Sequence, residues 1–168
     1  VIERATGRLL LVDGASDVPT VNGGTWALGQ NAEGDGLLFH ATFGPKNAYC
    51  LAAHTLTTDS GRIVWCAPKG SGFNDARQTP AGLTVLSFTA GRPSCRTPVA
   101  IDLATGEGAP VEGPDECAGW DSLVTPFGAI WSSVPDEQRI EEANFFADKG
   151  GDRVDLGLGD TGSLTWCD

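Results

Sequence analysis

The stretch Cys50-Leu-Ala-Ala-His-Thr-Leu-Thr-Thr-Asp-Ser-Gly61-Arg-Ile-Val-Trp65-Cys66 reads as two apolar and β-branched runs on either side of a turn. Asp and Ser hydrogen-bond the local backbone and Gly takes the positive φ of a tight reversal, so the segment is expected to form a β-hairpin. Its turn tripeptide, Ala/Asp-Thr/Ser-Gly, recurs and ends at Gly7, Gly61, Gly106 and Gly162. Three copies run on into strand-like residues, whereas Gly106-Glu-Gly-Ala-Pro110 lacks bulky side chains and is degenerate. The intervals of 54, 45 and 56 residues between these glycines suit a four-stranded sheet with its connections rather than a single hairpin.

Outside the turns, short apolar runs such as Arg8 to Val12, Leu83 to Thr89 and Ala129 to Ser132 are cut by Gly, Pro, Asp and Asn, which predicts an all-β chain. One helix is expected, over Pro135 to Ala147, where a proline in the first turn and early acids suit the positive end of a helix dipole. With 168 residues the chain fits a single domain, 1–168, or a fragment of one, large enough for its own core. It begins at Val1 and contains no methionine, which predicts a processed protein or a piece of a larger one. The formal net charge of −11 repels phosphate backbones, so nucleic acid is not expected as a partner. Uninterrupted apolar stretches such as Leu9 to Val12 and Ala48 to Ala53 fall far short of a bilayer span, so no membrane insertion is expected within this segment.

Together with Thr97-Pro-Val-Ala-Ile-Asp-Leu-Ala-Thr-Gly106-Glu, the opening hairpin resembles the outer hairpin of blades in quinoprotein-like (pyrroloquinoline-quinone-type) β-propellers, whose repeat reads Ala-Leu-Asp, two residues, Thr-Gly, then Trp. Phe146-Ala-Asp-Lys-Gly-Gly-Asp-Arg-Val-Asp-Leu-Gly157 resembles, more weakly, a shortened blade loop of integrin-type propellers, where an Asp-rich loop binds calcium. These resemblances imply an all-β fold of about three propeller-like blades. Closed propellers use four or more blades, so the ring is expected to be incomplete. The alternative is a β-sandwich, with the turns recurring by chance of composition.

Cys50 and Cys95 each lie 11 residues before a turn glycine, while Cys66 and Cys167 lie five after theirs and directly follow Trp. Hairpin geometry then predicts the disulfides Cys50–Cys66 and Cys95–Cys117. Cys167 is left unpaired or intermolecular, because the position matching Cys50 in its unit is Gly151. None of the five cysteines forms a CxxC pair, so an oxidising setting, secreted or otherwise extracytoplasmic, is expected.

Candidate chemistry is sparse. His40 and His54 belong to no metal or nucleophile motif, and Gly70-Ser-Gly72 lacks the spacing of a serine-hydrolase elbow. Adjacent acids such as Asp115-Glu116 and Glu141-Glu142 read as solvating charge. In the loop Asp148-Lys-Gly-Gly-Asp152-Arg-Val-Asp155, hard oxygens on a glycine-bent backbone make Asp148, Asp152 and Asp155 candidate calcium ligands, opposed by the basic residues among them. Trp65 and Trp166 are expected to pack between neighbouring sheets, and Trp120 to contact a ligand. The resulting expectation is an extracytoplasmic binding or scaffold module with a protein partner, further blades from the same or another chain. The alternative is a carbohydrate-active or quinone-dependent propeller enzyme whose site is completed by missing blades.

Overall fold

A computed structural model describes residues 26–58, 60–111, 121–134, 141–149, 152–160 and 164. Among these residues, twelve strands form three four-stranded antiparallel sheets, each a meander in chain order. Sheet 1 holds β1 (Trp26–Gln30), β2 (Gly36–Phe43), β3 (Tyr49–Thr55) and β4 (Ser60–Cys66). Sheet 2 holds β5 (Ser71–Thr79), β6 (Gly82–Thr89), β7 (Arg92–Ile101) and β8 (Gly108–Pro110). Sheet 3 holds β9 (Asp121–Thr125), β10 (Gly128–Ser133), β11 (Glu142–Lys149) and β12 (Asp152–Asp160). Among the described residues the count is therefore three sheets, not the two of a sandwich. The runs expected at Leu83 to Thr89 and Ala129 to Ser132 are β6 and β10.

Sheet 1 explains why its sequence lacks simple alternation. Strands β2 and β3 are buried on both faces, so apolar residues occupy consecutive positions instead of every second one. One face, with Phe39, Ala41, Leu51 and Ala53, packs with Val64 and Trp65 against Phe73, Leu83, Val85, Val99 and Ile101 of sheet 2 in a single apolar cluster. Each large side chain buried there contributes about 1.5–3 kcal/mol. Trp65 stands edge-on to Phe73 at 5.5 Å between centroids, and it fills the place a side chain at Gly108 would take. Packing between sheets, expected for Trp65, is what the structure shows. Gly106 has φ of 75° and lies so close to β4 that an added Cβ would stand 2.7 Å from the Val64 carbonyl oxygen, so the turn glycine serves both reversal and close approach.

Sheets 2 and 3 share a first hairpin. Thr79-Pro80-Ala81-Gly82 and Thr125-Pro126-Phe127-Gly128 both fold so that the threonine Oγ1 accepts the backbone N–H two residues on, at 3.1 Å in each case. The glycines close the turns at φ of 126° and 132°. Sheets 1 and 3 share a bulge in the fourth strand: Val64 is the extra residue between the pairs Leu51↔Trp65 and Ala52↔Ile63, and Leu156 is the extra residue between Phe145↔Gly157 and Phe146↔Asp155.

Two expectations are corrected. The segment expected to be helical, Pro135 to Ala147, contains strand β11 from Glu142 onward, with 135–140 outside the described residues. Phe145 and Phe146 are taken into the ladder between β10 and β12, with Phe146 opposite Trp131, and that pairing overrides the favourable helix start. The tripeptide repeat also fails to hold its place: Gly106 lies in the connection from third to fourth strand of sheet 2, whereas Gly61 already belongs to β4, paired with His54, and in sheet 3 that connection is 150–151, with Gly162 after β12. Gly7 and Gly162 themselves lie outside the described residues.

Cys50 and Cys66 form a disulfide with S–S of 2.01 Å and face each other directly in the β3–β4 ladder. The bulge at Val64 produces this register, since without the extra residue Cys50 would face Trp65. Cys50 is fully buried, and Gly44 lies over the bridge, where an added Cβ would stand 2.5 Å from the Cys50 Sγ. The side chain of Cys95, with Cys117 and Cys167, lies outside the described residues. A non-reduced digest is expected to yield a linked Cys50/Cys66 peptide, and Cys66→Ser to lower the unfolding free energy by about 2–4 kcal/mol in urea titrations.

Candidate functional site

Consecutive sheets meet along their first strands through polar bonds. Gln78 of β5 clamps the backbone of Gln30 on β1: its Nε2 donates to the Gln30 carbonyl at 2.8 Å and its Oε1 accepts the Gln30 N–H at 2.6 Å. Gly29 leaves the room for this, because a side chain there would collide with the Gln78 amide. At the outer rim, Arg62 of β4 donates to the Leu103 carbonyl at 2.7 Å.

The seam between β5 and β9 is charged. Arg77 donates to both carboxylate oxygens of Asp121, at 2.6 and 3.1 Å, and to the Ser122 carbonyl at 2.7 Å. Asp121 also accepts the N–H groups of Ser122 and Leu164, at 2.7 and 2.9 Å, which compensates a carboxylate only 6% exposed. Thr79 adds a bond from its hydroxyl to the Val124 carbonyl at 2.8 Å.

An open cleft of about 650 Å³ lies where the first seam meets the hairpin turns, lined by Leu28, Gln30, Asn31, Gln78, Thr79 and Pro80. In each meander the turn from first to second strand emerges at this same end, over 31–35, 80–81 and 126–127. The 31–35 turn is held rigid: Asp35 N–H donates to Asn31 Oδ1 at 2.7 Å, and Asn31 Nδ2 returns a bond to Asp35 Oδ2 at 3.1 Å. Leu28 and Phe127 offer apolar surface there, 60% and 71% exposed. Since the carboxamides of Gln78 and Asn31 are already engaged, the surface combines apolar side chains with fixed backbone, a composition suited to binding.

The candidate calcium ligands are spread over the β11–β12 hairpin. Asp148 and Asp155 share a face with Arg153, whose guanidinium carbon lies 3.8 Å from the Phe146 ring centroid, while Asp152 stands on the opposite face of β12. Among the described residues, no three or more His, Cys, Asp or Glu side chains gather as a metal group. Trp120 lies outside the described residues. Arg77, Asp121, Gln78 and Arg62 were not anticipated: each acts across sheets, and neither spacing nor composition records which sheets become neighbours.

His40 and His54 share the second face of sheet 1, 2% and 1% exposed, beside Leu38, Thr42, Cys50 and Ala52. Burial pushes the His40 pKa below its ordinary 6.5, partly opposed by a contact with the Ala41 carbonyl and reinforced by His54. Compared with known proteins, the chain matches no family model, no curated protein and no solved structure.

Removing the Asp121 carboxylate leaves a guanidinium only 16% exposed without its counter-ion, so Asp121→Ala is expected to cost about 3 kcal/mol in denaturant titrations. The neutral form of His40 is the one the fold favours. Its contribution is therefore complete above pH 6.5 and is lost as pH falls through the lowered folded value, so urea midpoints should drop on acidification, with a shallower drop in His40→Gln.

Proposed function

We propose that the three meanders are blades of a propeller-like scaffold, an open part of a ring, whose first-hairpin turns bind protein in an extracytoplasmic setting. The observation that carries this reading is the way the sheets are joined: first strand to first strand, by Gln78 on Gln30 and by Arg77 on Asp121, with sheet 2 between its neighbours. Sheets added in that manner radiate from a common line of first strands, as propeller blades do. The turn Thr-Pro-X-Gly repeated in sheets 2 and 3 supports units of one kind, and the Cys50–Cys66 bridge supports an oxidising compartment.

A scaffold of this type binds through loops that rigid sheets hold in place. The turns at 31–35, 80–81 and 126–127 fit that role, with Leu28 and Phe127 as apolar contacts and the cleft beside Pro80 as a recess for a partner side chain. The net charge of −11 favours a partner carrying basic residues around that apolar contact.

A photo-crosslinking phenylalanine in place of Phe127 is expected to give protein adducts in extracytoplasmic extracts that unlabelled chain competes away. The same probe in place of Phe43, exposed at the opposite end of sheet 1, is expected to give none. Equal labelling from both positions would contradict the assignment of the turns as the binding end.

A further inference from the structure

The apolar face of sheet 2 changes character along its length. On β6, Leu83 and Val85 lie in the core shared with sheet 1, and the next residues on that face are Ser87 and Thr89. On β7, Ile101 and Val99 give way to Thr97. The cover from sheet 1 stops at the same level, and a cleft of about 370 Å³ is left, walled by Trp65, Pro68, Val99 and Pro110, with the exposed Thr89 and Thr97 also lining it.

Trp65 aims its only polar atom at this space. The side chain is 9% exposed, and its Nε1 lies against Gly108, itself part of the lining. Among the described residues the indole N–H meets no acceptor, and unlike the Nε1 of Trp131 it is not sealed from solvent. A donor fixed by a buried ring and left open on an apolar cleft is a preformed contact for a ligand oxygen.

We propose that this cleft binds a small uncharged aromatic compound carrying one acceptor oxygen, which takes the Trp65 N–H. Three properties select that class. No ionisable side chain lines the cleft, and the net charge of −11 opposes anions. The volume lies at the small end for ligand pockets, so it suits a single ring rather than a polymer segment. A saccharide of that size loses water from several hydroxyls at once, and the lining offers no amide or carboxylate side chain to replace it. A flat ring loses little hydration and gains edge contacts with Trp65 and Phe88. The cleft stands at the end of β6 away from its first-hairpin turn, so it is separate from the turns assigned to protein binding.

Titration with acetophenone, a single neutral ring with one carbonyl, tests this through the indole N–H signals in heteronuclear NMR, the Trp65 signal being assigned by its nuclear Overhauser contacts to Gly108. That signal is expected to move saturably while the Trp131 signal stays. Ethylbenzene, which keeps the ring and lacks the oxygen, should bind about tenfold more weakly. Benzoate and methyl glucoside should leave the signal in place. Thr97→Trp fills the cleft from an exposed position, so it should abolish the shift with an unchanged urea midpoint. An unmoved Trp65 signal overturns the proposal, as does equal affinity for ethylbenzene, tighter binding of benzoate or the glucoside, or a saturable shift retained in Thr97→Trp. Crosslinking from Phe127 reads out the binding turns independently, so either reading can fail alone.

Discussion

Sheets 1 and 2 depend on one shared apolar interior. Phe39 and Leu51 from one sheet and Phe73 and Val85 from the other are 0–1% exposed, and none of them finds this cover within its own sheet. A lone four-stranded meander would leave one whole face in water, so stacking is the condition under which these strands persist. The bulge at Val64 belongs to the same constraint. It turns both Val64 and Trp65 toward sheet 2 and sets Cys50 opposite Cys66 on the other side. Core, bulge and disulfide therefore express one register, and a shift by a residue would disrupt all three.

Polar bonds fix the geometry that burial leaves loose. Apolar contact is non-directional and tolerates sliding between sheets, whereas the Gln78 clamp and the Arg77 fork accept only a narrow set of positions. Their place on first strands aligns the first-hairpin turns of successive sheets at one end. That alignment gives the turns a rigid spacing, which a binding surface needs and a flexible loop cluster lacks.

Much of the local structure was legible in the chain. The hairpin around Gly61, strands β6 and β10, the bridge between Cys50 and Cys66 and the packing role of Trp65 all follow from turn chemistry, β-branched runs and spacing. The cysteine spacing worked even though its arithmetic was asymmetric, because Gly61 lies past the reversal, inside β4, and the Val64 bulge takes up one further residue. The Phe145-Phe146 segment did not read correctly. Its flanking acids and proline favour a helix start, and only pairing to β10 and β12 makes strand the lower-energy state. The tripeptide ending at Gly162 does not mark the third-to-fourth-strand connection of sheet 3, which is 150–151, because three residues do not record which strands a reversal joins.

The sequence by itself determined the β3–β4 hairpin, strands β6 and β10 and the Cys50–Cys66 bridge, since these depend on residues within about twenty positions of one another and on local backbone preferences. Tertiary structure alone decided that Arg77 meets Asp121, that Gln78 grips Gln30, and that Trp65 lies against Gly108. Those contacts join residues more than forty positions apart in different sheets. Their partners are set by which faces stack, and that is a property of the burial of the whole chain rather than of any segment.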